Sequence, residues 1–501
     1  MSWPAAVLWA LLPPLVLLRG PALLYMTLIV NVFMSLQMLP GEGEGANLLP
    51  VTLYAAALAA KVFLTPGNVL RGVESALDLR RMGLFTAFIV YAVISAVLLP
   101  RMFAGLVEVI PISGGSFDGP SLVQPRSGNI TQSGYMLVSY STALALSVIG
   151  SREDVRRHYL RALVATALAL FATGLLDLAA DRLGFSTLLD PFRTASYELL
   201  TDVETNGVKR VVGLTPEASA FGALCVSAAA ALLLLRPLYR PGWERFAANV
   251  ALLGAAGMAI LSTSTTAYAG GAVLAIVYLI DLIGRALRPD AIGRESAKLE
   301  FVLLASAAFA AVAVIAFAPH VIAPFFDLID KVVFQKSASM SYYQRNLWTQ
   351  IGWGAFVDSG GLGVGFGSVR VSNWVVAILS STGVIGGCLI FGFIVQKVVA
   401  STRGETAEVK CLKKGLGLWL LPVFAMALFA GTIPDIGVMT AAALGMLSTA
   451  AIAPGVAGKR GEVYGAAATP QTSVRQRRFL RERLVGSSAT SPRQQGASKG
   501  V

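Results

Sequence analysis

Charge is scarce in this chain. Only 14% of its 501 residues are Asp, Glu, Lys or Arg, with 28 acids against 40 bases. A water-soluble chain carries roughly 25% charged residues. Histidine occurs twice, as His158 and His320, far apart and outside any HExxH pattern. A histidine-based metal centre therefore has no spacing to rest on. The three cysteines, Cys225, Cys388 and Cys411, show neither metal-ligand spacing nor a disulfide framework and read as small hydrophobes. No GxxxxGK[ST] loop is present, so ATP-driven chemistry has no phosphate cradle. No DxD pair is present in the long polar loops discussed below, and Asp327 and Asp330 are the nearest approach to a carboxylate cluster there. The composition thus suggests no cofactor and no metal.

What is abundant is apolar. Hydrophobic residues make up 55% of the chain, and the mean hydropathy is +0.68. No soluble fold of this length hides that much apolar surface, so lipid must solvate much of it. The expected fold class is all-α: a polytopic membrane protein of about 12–13 transmembrane helices with long outer loops. A span needs about 20 mostly apolar residues. The segments that qualify are 3–18, 21–39, 48–66, 82–100, 133–150, 159–180, 217–236, 246–263, 265–284, 301–323, 374–397, 416–431 and 436–453. Pro13-Pro14 interrupts the first, which reads as a membrane segment or a half-span and not as a cleaved leader.

The net charge of +12 raises the question of nucleic acid. The bases instead recur in short clusters between apolar segments, without interleaved aromatics, so no nucleic-acid partner is expected. Their distribution is a topology signal. Segments 67–81, 151–161, 236–245, 285–298 and 397–415 together hold 19 Lys and Arg, whereas the longer intervening loops 101–132, 181–216 and 324–373 hold 10. The first set is cytoplasmic by the positive-inside rule and the three long loops lie on the outer side. This divides the chain into a transmembrane domain, 1–453, and a basic cytoplasmic tail, 454–501. The tail is rich in Ala, Gly, Ser, Gln and Arg and too polar to build a core, so disorder is expected there.

The candidate chemistry lies in the outer loops. Loop 181–216 ends in Lys209-Arg210-Val-Val-Gly213-Leu-Thr-Pro216-Glu217. Pro216 and Glu217 suit a helix start. Alternatively Arg210 faces an anion, with Glu217 orienting that arginine or accepting a proton. Loop 324–373 contains Tyr342-Tyr343-Gln-Arg345-Asn-Leu-Trp348, readable as an amphipathic helix with Tyr342, Arg345 and Thr349 on one face. Gly363-Val-Gly365-Phe-Gly367-Ser-Val-Arg370 follows. Alternating glycines permit positive φ and could cradle a phosphate, or could form a hinge before a span. Arg210, Arg345 and Arg370 thus occupy loops that topology otherwise depletes of cations. The planar fork of arginine suits a diphosphate. Asn129-Ile130-Thr131 is formally a glycosylation sequon.

Over about 130–453 the chain resembles the bacterial O-antigen ligases and the O-antigen and exopolysaccharide repeat-unit polymerases. The resemblance rests on the order and spacing of four features: Arg210-Val-Val-Gly-Leu-Thr-Pro-Glu217 entering a span, the Ser-Thr turn at 262–266, Arg345 with Trp348, and Gly363 to Asn373 leading into Ile378 to Gly386. It implies a metal-independent, α-helical membrane glycosyltransferase of the bacterial inner membrane, acting at the periplasmic face. The implied donor is an oligosaccharide on undecaprenyl diphosphate. The resemblance carries the catalytic role to Arg210 and Arg345; on the residues themselves, Glu217 is the base candidate, Arg370, Gly363, Gly365 and Gly367 would shape the phosphate pocket, and Tyr343 and Trp348 would stack on sugar or mark the membrane interface. The lipid bilayer, a chain-length regulator and a flippase of the same pathway are the implied partners. Ligases often carry a histidine where this chain has Ser372, which favours the polymerase branch. Ligation to another acceptor and transport of lipid-linked sugars are the competing readings.

Overall fold

The computed structural model describes residues 1–39, 47–112, 119–197, 199–201, 204–205, 208–287, 297–298, 300–302, 305–306, 340–400 and 402–450. The proposed span 301–323 lies almost wholly outside them, as do residues 324–339, with Asp327 and Asp330, and the basic tail.

The protein is an all-α, polytopic membrane protein: 72% of the described residues are helix and 2% strand. Fourteen helices run through the described residues: α1 Trp3–Leu17, α2 Ala22–Ile29, α3 Pro50–Phe63, α4 Asn68–Leu77, α5 Gly83–Met102, α6 Ser127–Ile149, α7 Glu153–Arg182, α8 Ala218–Leu234, α9 Trp243–Leu261, α10 Thr265–Leu287, α11 Met340–Asp358, α12 Trp374–Val399, α13 Ala407–Ala430 and α14 Val438–Leu447. Six of them, α5, α7, α9, α10, α12 and α13, are long and apolar enough to cross a membrane. The count rises to seven if α3 and α4, bent by 109° at a short break, form one span. Among the described residues this is fewer than the sequence suggests. The physical reason is length: α1, α2, α8 and α14 fall on apolar segments of the sequence but are short helices. α6 has the length, yet its first turns are polar, from Ser127 through Gln132.

The core is built on α8, which packs against α7, α9, α10 and α13. Its run Ala228–Ala231 is buried, and small side chains there let four neighbours approach closely. Glycines do the same elsewhere. A Cβ on Gly270 of α10 would sit 2.4 Å from Met426 of α13, and one on Gly445 of α14 would sit 2.4 Å from the Ala143 carbonyl of α6.

Polar contacts separate the two ends of the bundle. At one end, Arg157 pairs with Glu408, Arg161 with Glu244, Lys414 with Asp281, and Arg236 and Arg285 with Glu300. There too Lys397 donates to the Arg80 carbonyl and Arg81 to the Ser147 and Ser448 carbonyls. All five basic segments of the sequence are represented in these contacts. At the other end, Arg370 N–H donates to the Ile110 carbonyl and Asn129 Nδ2 to the Phe366 carbonyl. Along α7, the 20 residues from Arg157 to Asp177 separate the two ends by about 30 Å, a membrane's hydrocarbon thickness.

Candidate functional site at the loop end of the bundle

The loop carrying Arg210 is fixed from below by one carboxylate. Asp177, near the end of α7, is 1% exposed. Its Oδ2 accepts from the amides of Val212, at 2.8 Å, and Gly213, at 3.1 Å. Its Oδ1 faces the cations of Arg193, at 3.1 Å, and Lys209, at 3.4 Å. Two charges and two amides saturate the carboxylate, which is what makes its burial tolerable. Gly213 turns the chain with φ +54°, and a Cβ there would lie 2.7 Å from the Phe221 ring of α8. The strand pair Glu204–Thr205 and Val208–Lys209, antiparallel, leads into this turn.

Arg210 then reaches the tight turn between α9 and α10. Its Nε lies 3.4 Å from the Ser262 carbonyl. Thr263 in that turn holds a positive φ of 45°, uncommon for a β-branched residue. Burial pushes the Arg210 guanidinium below its usual range, and Arg345 adds to this by repulsion while Glu217 opposes it. The guanidinium stays charged all the same. These through-space effects put Arg210, Glu217 and Arg345 in one neighbourhood.

Pro216 and Glu217 lead directly into a helix, as the helix-start reading expects. Glu217 is the residue before α8, in extended conformation, and its side chain makes no cap to its own helix. It turns outward instead. Arg345 Nη2 donates to Glu217 Oε1 at 3.1 Å and Oε2 at 3.2 Å, and the Ser219 hydroxyl donates to the same carboxylate. Arg345 Nη1 contacts the Phe429 carbonyl at the end of α13, at 3.4 Å. Arg345 sits on α11, whose Thr349 hydroxyl donates to the Arg345 carbonyl one turn later. The Arg345 and Glu217 side chains remain 20% and 32% exposed, so the pair faces an opening.

Trp348 lies three residues beyond Arg345, hence on the same side of α11. The Arg370 guanidinium stands over its ring at 5.4 Å from the centroid. The chain thus brings Arg210, Glu217 and Arg345 together and places Arg370 and Trp348 one helical turn along. Tyr343 is not brought in: it is 66% exposed, about 200° around α11 from Arg345.

The glycine run is a packed element. Gly363, Gly365 and Gly367 all hold positive φ, as the sequence suggests. The amides of Gly363 and Gly365, however, turn inward. Gly363 N–H donates to Ser359 Oγ at 2.9 Å, and Gly365 N–H to the Ser381 carbonyl at 3.0 Å. The run fills a break in α12 at Gly383, where φ is 62° and ψ −162°. The phosphate-cradle role is therefore withdrawn for Gly363 and Gly365, because protein acceptors already hold those donors. For Gly367 the close approach of the Gly128 carbonyl, 2.6 Å from where a Cβ would stand, accounts for the residue type. Asn129 of the formal sequon is buried at this contact, donating to the Phe366 carbonyl and Ser368 Oγ, each at 2.8 Å.

Sequence reasoning missed Asp177 and Arg193. An ionisable residue inside an apolar segment was the available signal for Asp177. Among the described residues, no group of three His, Cys, Asp or Glu is placed to hold a metal ion. No protein-family model matches the chain, and no curated protein matches it.

Proposed function

We propose that the protein is a membrane glycosyltransferase that joins undecaprenyl-diphosphate-linked oligosaccharide repeat units into an exported or cell-surface polysaccharide, at the periplasmic face of the bacterial inner membrane. The observation that carries this reading is the convergence of Arg210 and Arg345 on Glu217 at a partly open mouth, with Arg370 a helical turn away. Among the described side chains, Arg210 and Arg345 face the single carboxylate of Glu217, an excess of positive charge that suits a lipid diphosphate at the membrane surface.

In the reaction, an acceptor hydroxyl attacks the anomeric carbon of the donor sugar. The bond from that carbon to the diphosphate oxygen breaks, and the lipid diphosphate leaves with the electron pair. Arg210 and Arg345 neutralise the charge that develops on it, an electrostatic contribution that is usually large. Of the two roles open to Glu217, the ion pair favours orientation: it holds Arg345 in place until a phosphate oxygen takes over the guanidinium.

Arg210→Ala and Arg345→Ala should each abolish long-chain polysaccharide on gels of surface glycan while the protein still inserts. Normal polymer length in both variants would sink the proposal. Deletion should leave single repeat units on the lipid carrier. Long lipid-linked polymer would identify a ligase instead, and repeat units trapped on the cytoplasmic leaflet a transporter.

A further inference from the structure

A second group of polar side chains lies at the same end of the bundle, where Gln132 packs against Gly367 of the glycine run. Gln132, Tyr135 and Ser139 fall at spacings of three and four on α6, hence on one stripe. Asp435, in the short connection between α13 and α14, faces that stripe. Its carboxylate interacts with the Ser139 hydroxyl, and its field reaches Tyr135. Two atoms here are enclosed without a hydrogen-bond partner: Gln132 Oε1 and Asp435 Oδ1. Gln132 and Ser139 are 6% and 1% exposed, whereas Asp435 as a residue keeps partial access to its surroundings. Ser372 Oγ, also buried and unpartnered, lies in the stretch that runs beside this connection: Val371 N–H contacts the Thr432 carbonyl, and Trp374 Nε1 donates to the Pro434 carbonyl. Buried polar atoms normally find partners, so several orphans in one place mark ground built for something else.

The position relates this group to the arginines. Phe429, whose carbonyl meets Arg345, precedes Asp435 by six residues, at most about 22 Å of extended chain. From the other side, Tyr197 is held in the field of Tyr135, and Leu200, three residues on, bridges to Glu217. Three residues span at most about 11 Å.

We propose that Gln132, Tyr135, Ser139 and Asp435 form a hydroxyl-binding subsite for the acceptor sugar, in which Asp435 takes the proton of the attacking hydroxyl. This deepens the glycosyltransferase reading and rests on it. Amide, phenol, hydroxyl and carboxylate are the neutral and acidic partners that a polyhydroxyl ligand uses, and the group contains no cation that would draw in a second phosphate. The acceptor oxygen forms its bond to the anomeric carbon, its proton passes to Asp435, and the lipid diphosphate departs as described above. Burial pushes the Asp435 carboxyl up to about 6, against the pull of Ser139 and of the Gly437 and Ile436 amides. Tyr135 from α6 and Tyr197 beyond it are the titratable groups nearby, and both are neutral across that range. The base form therefore appears as pH rises through about 6.

The test uses the full chain in proteoliposomes, with the lipid-linked oligosaccharide that accumulates in a deletion strain as donor and acceptor. Transfer is followed against pH, and retention of the lipid-linked oligosaccharide by tagged protein is measured separately. The wild-type rate should rise to a plateau with a midpoint near pH 6. Asp435→Asn should lose about 10²- to 10⁴-fold in transfer and lose the midpoint, with retention unchanged. Asp435→Glu should recover part of the rate with a displaced midpoint. Gln132→Ala should raise the substrate concentration needed for half-maximal rate and leave the midpoint in place. If Asp435→Asn keeps the wild-type rate and profile while Arg345→Ala is inactive, the subsite is overturned, the functional reading stands, and the orphaned atoms hold structural water only. If Arg345→Ala is fully active while Asp435→Asn is not, the donor reading fails and the role of Asp435 survives. An inert wild-type protein overturns both.

Discussion

Asp177 and Glu217 show how differently two carboxylates at the same end of a bundle are used. Asp177 is buried, and it is shared by Arg193, Lys209 and two amides. Removing it strands Arg193, whose side chain is only 9% exposed, and leaves Lys209 with the more exposed Asp181 alone. Asp177→Leu should therefore destabilise the protein by about 3–5 kcal/mol, visible as a lower unfolding midpoint in detergent. Arg193→Ala should do less harm, since Lys209 remains to balance the charge. Glu217 is half-exposed, and a partly solvated ion pair contributes about 1 kcal/mol or less. Glu217→Gln should leave the unfolding midpoint nearly unchanged yet reduce polymer formation, because Arg345 loses the partner that orients it. A large stability loss in this variant would recast Glu217 as a structural residue.

At the scale of the element, the packing of the glycine run into the break of α12 decides where Arg370 stands. A Cβ on Gly383 would lie 2.3 Å from the Gly361 carbonyl, at a backbone conformation L residues rarely adopt. Gly383→Ala should therefore cost more than about 1–2 kcal/mol, the strain of the left-handed conformation alone, and should displace the loop that carries Arg370. Gly257, inside α9, has nothing within 4 Å of its would-be Cβ. Gly257→Ala should be neutral or slightly stabilising, since alanine favours helix over glycine. Paired thermal unfolding of the two variants separates a glycine required by contact from one that is merely tolerated. The sequence makes Gly363 and Gly365 attractive as phosphate ligands because positive φ is legible from glycine. Which acceptor a given amide finds is not legible: Gly363 turns to Ser359 just before it, and Gly365 to Ser381 of α12.

On the scale of the whole molecule, the described parts of the basic segments gather at one end and those of the long loops at the other. The alternation of Lys and Arg along the chain anticipates this division, because every crossing reverses the side on which the next segment emerges. In a background lacking native cysteines, Tyr343→Cys should react with a membrane-impermeant maleimide in intact cells, and Arg240→Cys only after lysis. Both native side chains are exposed, so failure to react reports sidedness and not burial. The reverse pattern would invert the topology and move the arginine cluster to the cytoplasm.

Local composition determined the class of this protein. An apolar excess of this size requires lipid, and periodic basic clusters require alternating sides. It also singled out Arg210, Arg345 and Glu217, because charge is conspicuous where apolar helices begin. Only the tertiary structure decided that the three meet. Residues 217 and 345 are 128 positions apart, and the packing of α8 on α13, and of α11 and α13 on α12, brings the side chains within hydrogen-bond distance. It also decided that Tyr343 stays outside the group, that two glycine amides are spent on protein acceptors, and that Asp435 confronts an α6 stripe three hundred residues earlier. A hydrogen bond is a contact between atoms a few ångströms apart. A sequence records the donor and acceptor types, while their pairing is fixed only when helices far apart in the chain are packed side by side.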